Sequence, residues 1–173
     1  MRRALTLFIT QFLLWAVVSQ VNHSLAGRHV YLWVGGLFVT YGALSLSLRS
    51  GLLSSFLAGL LLDAVSPVAF GMHALLFAAA HALVFHVRDR VPRDETAGRV
   101  VIALFANLTL FLVFSVFLID DAPTPAAAWP RLIFDLVCSQ VFLALIAPWF
   151  MALQARTVEL SDALAVVYVR RFR

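Results

Sequence analysis

Residues 51–63 read Gly51-Leu-Leu-Ser-Ser-Phe-Leu-Ala-Gly-Leu-Leu-Leu-Asp63, an apolar run that ends in a carboxylate. Four small or polar residues recur in it at intervals of four and therefore share one face of a helix, namely Gly51, Ser55, Gly59 and Asp63. In a membrane helix an Asp costs about 2.5–3.5 kcal/mol at mid-depth and less near an interface. The face therefore predicts a close helix contact with a polar residue at its end.

The composition of the whole chain is that of a membrane protein. Of the 173 residues, 62% are hydrophobic and 13% are charged, and the mean hydropathy is +0.94. A soluble domain could not cover its surface with so few polar residues. All thirteen basic residues are Arg and lie scattered between apolar segments, so the net charge of +4 indicates membrane topology rather than nucleic-acid binding. The single Cys138 excludes an intrachain disulfide.

Apolar segments of membrane-spanning length recur along the chain, and they predict an all-α, polytopic membrane protein with six transmembrane helices. The predicted spans, which form one bundle over residues 1–153, are residues 4–21, 29–48, 50–65, 71–87, 99–119 and 130–153. The third is the shortest and is tilted, re-entrant or held within the bundle. Pro130 suits the first turn of the sixth. Residues 154–173 are predicted to form a cytoplasmic amphipathic tail whose basic end contacts the lipid membrane.

The arginines between the spans orient the bundle. With the amino terminus in the cytoplasm, eleven arginines fall on the cytoplasmic side and only Arg28 and Arg131 fall outside. Both termini are then cytoplasmic, and Asp63 lies at the outer end of the third span. The first span also has features of a signal peptide, with a small-x-small sequence at residues 24–26, but its apolar stretch is long for one. We expect it to be retained as an anchor.

Asp63 allows three interpretations: a cap on an exposed helix end, a structural group bonded to its neighbours, or a proton or substrate site. The loop after it carries no charge, Gly71 opens the fourth span, and His73 follows at the same depth. We therefore expect an Asp63–His73 hydrogen bond. Asp135, one turn into the sixth span, lies at a similar depth. The sequence thus predicts an outer-face polar cluster of Asp63, His73 and Asp135.

The small residues also allow two interpretations. Gly51, Ser55 and Gly59 let helix backbones approach closely, either inside the chain's own bundle or in a groove that docks a partner's transmembrane helix. The cytoplasmic loop between the fourth and fifth spans carries Arg88, Arg90 and Arg93. It is either a solvated loop or a contact site for a cytoplasmic partner.

The sequence predicts no catalytic, metal or cofactor site. His73, His81 and His86 lie on one predicted helix, but their spacing does not let them converge on one metal ion. No Ser-His-Asp arrangement, phosphate-binding Gly loop or HExxH motif is present. We therefore expect no hydrolase and no nucleotide-binding protein.

The third and fourth spans resemble a known family. Gly59-Leu-Leu-Leu-Asp63, followed eight residues after the Asp by Gly71-Met-His-Ala-Leu75, is similar to the central signature of the bacterial rod-shape-determining MreD family. Those proteins pair a Gly-x-x-x-Asp helix end with a Gly-opened next helix, and they are similarly short. A further small residue of the family pattern, often Gly, is Ser55 here. Serine preserves close packing.

The resemblance implies a non-catalytic inner-membrane subunit of the cell-elongation complex. Its implied partners are the MreC membrane scaffold and, through it, the MreB filament and the peptidoglycan synthases RodA and PBP2. The implied fold resembles that of the S components of energy-coupling-factor transporters. An S component of a vitamin importer is accordingly the alternative, although the Ala-x-x-x-Ala contact expected on its first helix is missing, since the first span has only Ala4 and Ala16. A structural membrane protein of an unrelated pathway stays open as a third class.

Overall fold

The computed structural model describes residues 2–66, 68–90, 95–120 and 125–171, and within these ranges it contains helices and connecting segments but no strand. The six α-helices are α1 (Arg2–Leu25), α2 (Gly35–Ser45), α3 (Leu48–Asp63), α4 (Met72–Val87), α5 (Thr96–Asp120) and α6 (Pro125–Arg171). Single turns of 3₁₀-helix follow α1 and α4, at Ala26–Arg28 and Arg88–Arg90.

The surface of the protein is apolar, whereas many of its buried side chains are polar, the reverse of a soluble protein. Trp149 is 80% exposed, while Gln11, Asn107 and Gln154 are at most 1% exposed. Such a distribution suits a lipid environment, in which polar groups must find partners inside the protein. Three helical segments are long and apolar enough to cross a membrane, at Arg2–Arg28, Thr96–Phe117 and Ala128–Ala165.

The central helix is α2, which packs against α3, α4, α5 and α6. All residues from Gly35 to Leu44 are buried. With 11 residues it rises only about 16 Å, about half the hydrocarbon core of a bilayer. The prediction of one helix over 29–48 is wrong at its start, because residues 30–34 are not helical. The prediction is also wrong at its end, because α2 ends at Ser45 and α3 begins at Leu48.

Helices α3 and α4 form an antiparallel hairpin with the most extensive helix–helix contact in the described chain. Each has 16 residues, close to the predicted spans 50–65 and 71–87. Both are shorter than the roughly 20 residues that cross a bilayer without help from neighbours. The hairpin therefore depends on its packing within the bundle.

The last helix, α6, differs most from its predicted form. It has 47 residues and contains Pro130 and Pro148 within it, so that it is about 70 Å long. Pro130 is inside the helix rather than in its first turn, and no break separates a tail after residue 153. The continuation packs beside the start of α1, where Arg3 pairs with Asp162 at 2.8 Å. The predicted tail is therefore a continuation of α6 that contacts α1.

Candidate functional site

Asp63, the last residue of α3, holds the first turn of α4. Its Oδ1 accepts hydrogen bonds from the backbone N–H of His73 (2.9 Å) and from Nδ1 of His73 (2.8 Å), and its Oδ2 accepts one from the backbone N–H of Ala74 (3.1 Å). The two backbone donors are N–H groups of the first turn of α4, which have no partner within the helix, and the helix dipole favours a negative charge there. Since Asp63 is 4% exposed, its carboxylate does not cap an exposed helix end.

Gly71 makes the turn that delivers α4 to this carboxylate. Its φ is +97°, a left-handed conformation that L side chains rarely adopt. Around it the backbone N–H of Met72 donates to the carbonyl of Ala69 (3.1 Å), and that of Leu75 donates to the carbonyl of Gly71 (2.9 Å). The glycine is therefore required by backbone conformation rather than by space.

The small-residue face of α3 is occupied by the chain's own helices. A Cβ at Gly59 would overlap the backbone of Ala74, and one at Gly51 would lie 2.5 Å from the ring of His81. Ser55 is fully buried, and its Oγ lies 2.9 Å from Nδ1 of His81. Of the two interpretations of this face, the geometry is that of packing within the bundle.

The non-helical start of the second span is held by side chains from distant helices. Asn22 of α1 makes two hydrogen bonds with Leu32, since its Oδ1 accepts from the backbone N–H (2.8 Å) and its Nδ2 donates to the carbonyl (2.9 Å). Ser139 of α6 accepts from the backbone N–H of Trp33 (2.9 Å). These side chains replace the helical hydrogen bonds that residues 30–34 lack.

Two further side chains complete this arrangement. The backbone N–H of Tyr31 donates to Oδ1 of Asp135 (3.0 Å). Asn107 of α5 accepts from the backbone N–H of Gly36 (3.1 Å) and donates to the carbonyl of Trp33 (3.2 Å). Non-helical backbone at membrane depth occurs where it is buried in protein or lines a cavity. In transporters such interrupted spans mark binding sites.

A cavity of about 600 Å³ lies beside residues 30–34, the non-helical start of the second span, here called the 30–34 segment. Its wall is mainly aromatic and aliphatic, with Trp15 from α1, Trp33 from the segment itself and Phe111 from α5 among the lining residues. Polar side chains enter it as well, notably His73 and Asp135. Two of the side chains that hold residues 30–34, Asn22 and Asp135, thus also line the cavity.

The three residues of the predicted polar cluster are not all in contact with one another. Asp63 and His73 are joined directly, and the His73 ring stacks on Phe114 with centroids 4.2 Å apart. Asp135 bonds to Tyr31 instead and reaches neither of the other two by a hydrogen bond that the described structure contains. His73 and Asp135 both line the cavity, so it is the cavity that brings them together.

The arginines of the loop between α4 and α5 have different surroundings. Arg88 donates from Nη1 to the carbonyl of Leu46 (3.0 Å), and its guanidinium lies 3.8 Å from the centroid of the Phe85 ring. Arg88 therefore ties α4 to the end of α2. Arg90 is exposed, and the predicted contact residue Arg93 lies outside the described residues.

The role of Asn22 and the interruption of the second span are absent from the sequence-based predictions. One local signal was available: Gly35-Gly36 stands in the middle of the predicted second span, and glycine is a poor helix former. The hydrogen-bond partners of the 30–34 segment carry no such signal, because they lie from 10 to more than 100 residues away along the chain.

No metal site is formed by the described residues, in which no three His, Cys, Asp or Glu side chains lie together as ligands would. His81 illustrates why. Its ring is fully buried against the glycines of α2 and α3 and bonds to Ser55 rather than to another ligand type.

Comparison with known protein families gives a match over most of the chain. The sequence model of a protein family described as rod shape-determining protein MreD matches residues 1–156 of the chain. The match includes the segment from Gly59 to Leu75 and confirms the resemblance that this segment carries. No curated protein and no solved structure matches the chain, so the likeness of the fold to S components stays a prediction.

Proposed function

The chain belongs to the MreD family of rod shape-determining proteins, and from this we propose that it is a non-catalytic inner-membrane subunit of the cell-elongation complex. In this role it docks an MreC-like scaffold and, through it, helps couple an MreB-like filament to the peptidoglycan synthases RodA and PBP2. Its helices cross the membrane with both termini in the cytoplasm. The vitamin-importer alternative receives no support from the family match.

One observation carries the docking part of the proposal: a groove of about 430 Å³ between α4 and α5. These two helices contact each other much less than α4 contacts α3 or α5 contacts α2. Lining residues such as Leu83 and Phe105 are large, apolar and about 65% exposed. The groove is therefore open to the surroundings of the bundle at these residues.

Small residues give this groove the character of a helix-docking site. Ala79, Ala80, Ala106 and Thr109 line it, and small residues let helix backbones approach closely in a membrane. The small-residue face of α3 is covered by α4 and α2, so a partner finds this kind of surface on the outside of α4 and α5. An MreC-like protein, with its single transmembrane helix, is the occupant that the family implies.

Co-purification of a tagged chain with the MreC-like protein tests the groove. Ala79 is exposed within it, so Ala79→Trp fills the groove without entering the core. We expect this variant to lose the MreC-like partner. Ala144 is exposed on α6 and does not line the groove, which makes Ala144→Trp the matched control. Full recovery of the partner with Ala79→Trp would place the docking surface elsewhere.

A further inference from the structure

The cavity beside the 30–34 segment has the size and position of a small-molecule site. Its volume of about 600 Å³ lies within the range of ligand pockets, which is about 300–1,000 Å³. Residues from α1, the 30–34 segment, α5 and α6 meet there, among them Asn22, Tyr31, Ser115 and Asp135. The cavity is separate from the α4–α5 groove, with which it shares no lining residue.

Aromatic rings form a large part of the wall of this cavity. Six aromatic residues line it, and they are Trp15, Tyr31, Trp33, Phe38, Phe111 and Phe114. Trp33 and Phe114 meet edge to face with centroids 5.4 Å apart, so their positions are fixed by mutual packing. The faces of aromatic rings attract cations, Trp and Tyr most strongly. Such a wall is suited to a ligand that is both apolar and positively charged.

The charge inside the cavity has one sign. Among the described lining residues, Asp135 is the only Asp, Glu, Lys or Arg. Its Oδ1 accepts one hydrogen bond from Tyr31, and its Oδ2 lies 4.0 Å from Nε of Arg131, a side chain that is 65% exposed. The distance is at the upper limit for an ion pair, and only the Arg131 end of the pair is exposed, so Arg131 offsets part of the Asp135 charge and leaves its buried carboxylate on the cavity wall. Two further titratable side chains line the wall, Tyr31 and His73, and His73 is bonded to the Asp63 carboxylate.

We propose that this cavity binds a small organic cation whose body is aromatic or aliphatic. The Asp135 carboxylate holds the charged nitrogen, while the rings of Trp15, Tyr31 and Trp33 surround the remainder. Anions are disfavoured, since no Lys or Arg is among the described lining residues, His73 is bonded to Asp63, and Asp135 repels anions. Because Tyr31 and Trp33 belong to the interrupted span, a bound cation contacts backbone that is not locked in a helix.

The experiment uses the full-length chain in detergent and benzyltrimethylammonium as the probe. Trp129 and Trp149 do not line the cavity, so Trp129→Phe and Trp149→Phe leave Trp15 and Trp33 as the only indole reporters among the four tryptophans. Titration of the probe is expected to change the tryptophan emission and to saturate. Phenylacetate, an anion of similar size, is expected to give no saturable change.

Asp135→Asn separates charge from shape, because the amide oxygen still accepts the hydrogen bond from Tyr31. We expect this variant to bind the cation roughly tenfold more weakly or worse. Asp162→Asn, which removes a carboxylate outside the cavity, is the control and should bind as the parent does. Equal binding by Asp135→Asn, equal binding of phenylacetate, or no binding to the parent would each overturn the proposal. None of these results depends on the MreC-like partner, so the docking groove is tested separately.

Discussion

One oxygen atom of Asp63 accepts both the backbone N–H and the ring Nδ1 of His73, at 2.9 and 2.8 Å. The main chain and the side chain of His73 are therefore fixed by a single carboxylate oxygen from the preceding helix. The ring of His73 in turn stacks on Phe114 of α5. Three helices, α3, α4 and α5, are joined through this pair.

Replacement of Asp63 should loosen the α3–α4 hairpin. Asp63→Ala leaves three donors without their acceptor, and a buried donor left unsatisfied costs about 1–3 kcal/mol. Asp63→Asn keeps one acceptor oxygen and should lose less. Denaturation in mixed micelles measures the free energy of unfolding, with Glu159→Gln, a change at an exposed position of α6, as the control. Equal stability of the alanine variant and the parent would show that these bonds contribute nothing.

A methyl group at position 59 should separate the helices of the hairpin. Since a Cβ there overlaps the backbone of Ala74, Gly59→Ala is expected to destabilise the protein by about 1–3 kcal/mol, the usual cost of overpacking. Gly27 has no atom within 4 Å of a Cβ built on it, so Gly27→Ala is the matched control. Thermal stability in detergent, followed by size-exclusion chromatography, distinguishes them. Two identical melting profiles would contradict the close α3–α4 contact.

Loss of the Asn22 side chain should make the 30–34 segment more mobile. Asn22→Ala removes both hydrogen bonds to Leu32, and we expect faster amide hydrogen exchange over residues 30–34. Ser24 bonds only to Gln20 of its own helix among the described contacts, which makes Ser24→Ala a suitable control. If exchange over 30–34 is unchanged in Asn22→Ala, another group holds the segment.

The proposed topology predicts which side of the membrane each connection faces. In a Cys138→Ala background, Gly27→Cys should react with a membrane-impermeant maleimide in right-side-out vesicles, because the α1–α2 connection faces outward. Arg90→Cys should react only in inverted vesicles. Labelling of Arg90→Cys from the outside would reverse the orientation or change the number of crossings.

Helix positions could be predicted where the apolar run and the helix coincide. The hairpin followed from Gly59, Asp63 and Gly71, because small residues, a carboxylate and a left-handed turn act within about ten residues of chain. The second span could not be predicted in the same way. Residues 30–34 are as apolar as a membrane helix, and their non-helical form depends on hydrogen bonds to side chains of α1, α5 and α6.

The candidate cavity was only partly predictable, for the same reason. Polar residues at one depth drew attention to His73 and Asp135, and both line it. Whether they bond to each other or stand across a space depends on the packing of α1, α5 and α6 around Trp33. Such packing depends on shape at long sequence separation, which a pattern of residue types does not contain.

The length of α6 has a mechanical consequence. The part of α6 beyond Pro148 extends about 35 Å, so a bend of about 10° at Pro148 would move its far end by about 6 Å. Pro148 has no N–H to donate to the carbonyl of Ala144, which makes this the point where the helix bends most easily. Because this part of α6 packs beside the start of α1, a bend at Pro148 would also displace the amino-terminal end of α1.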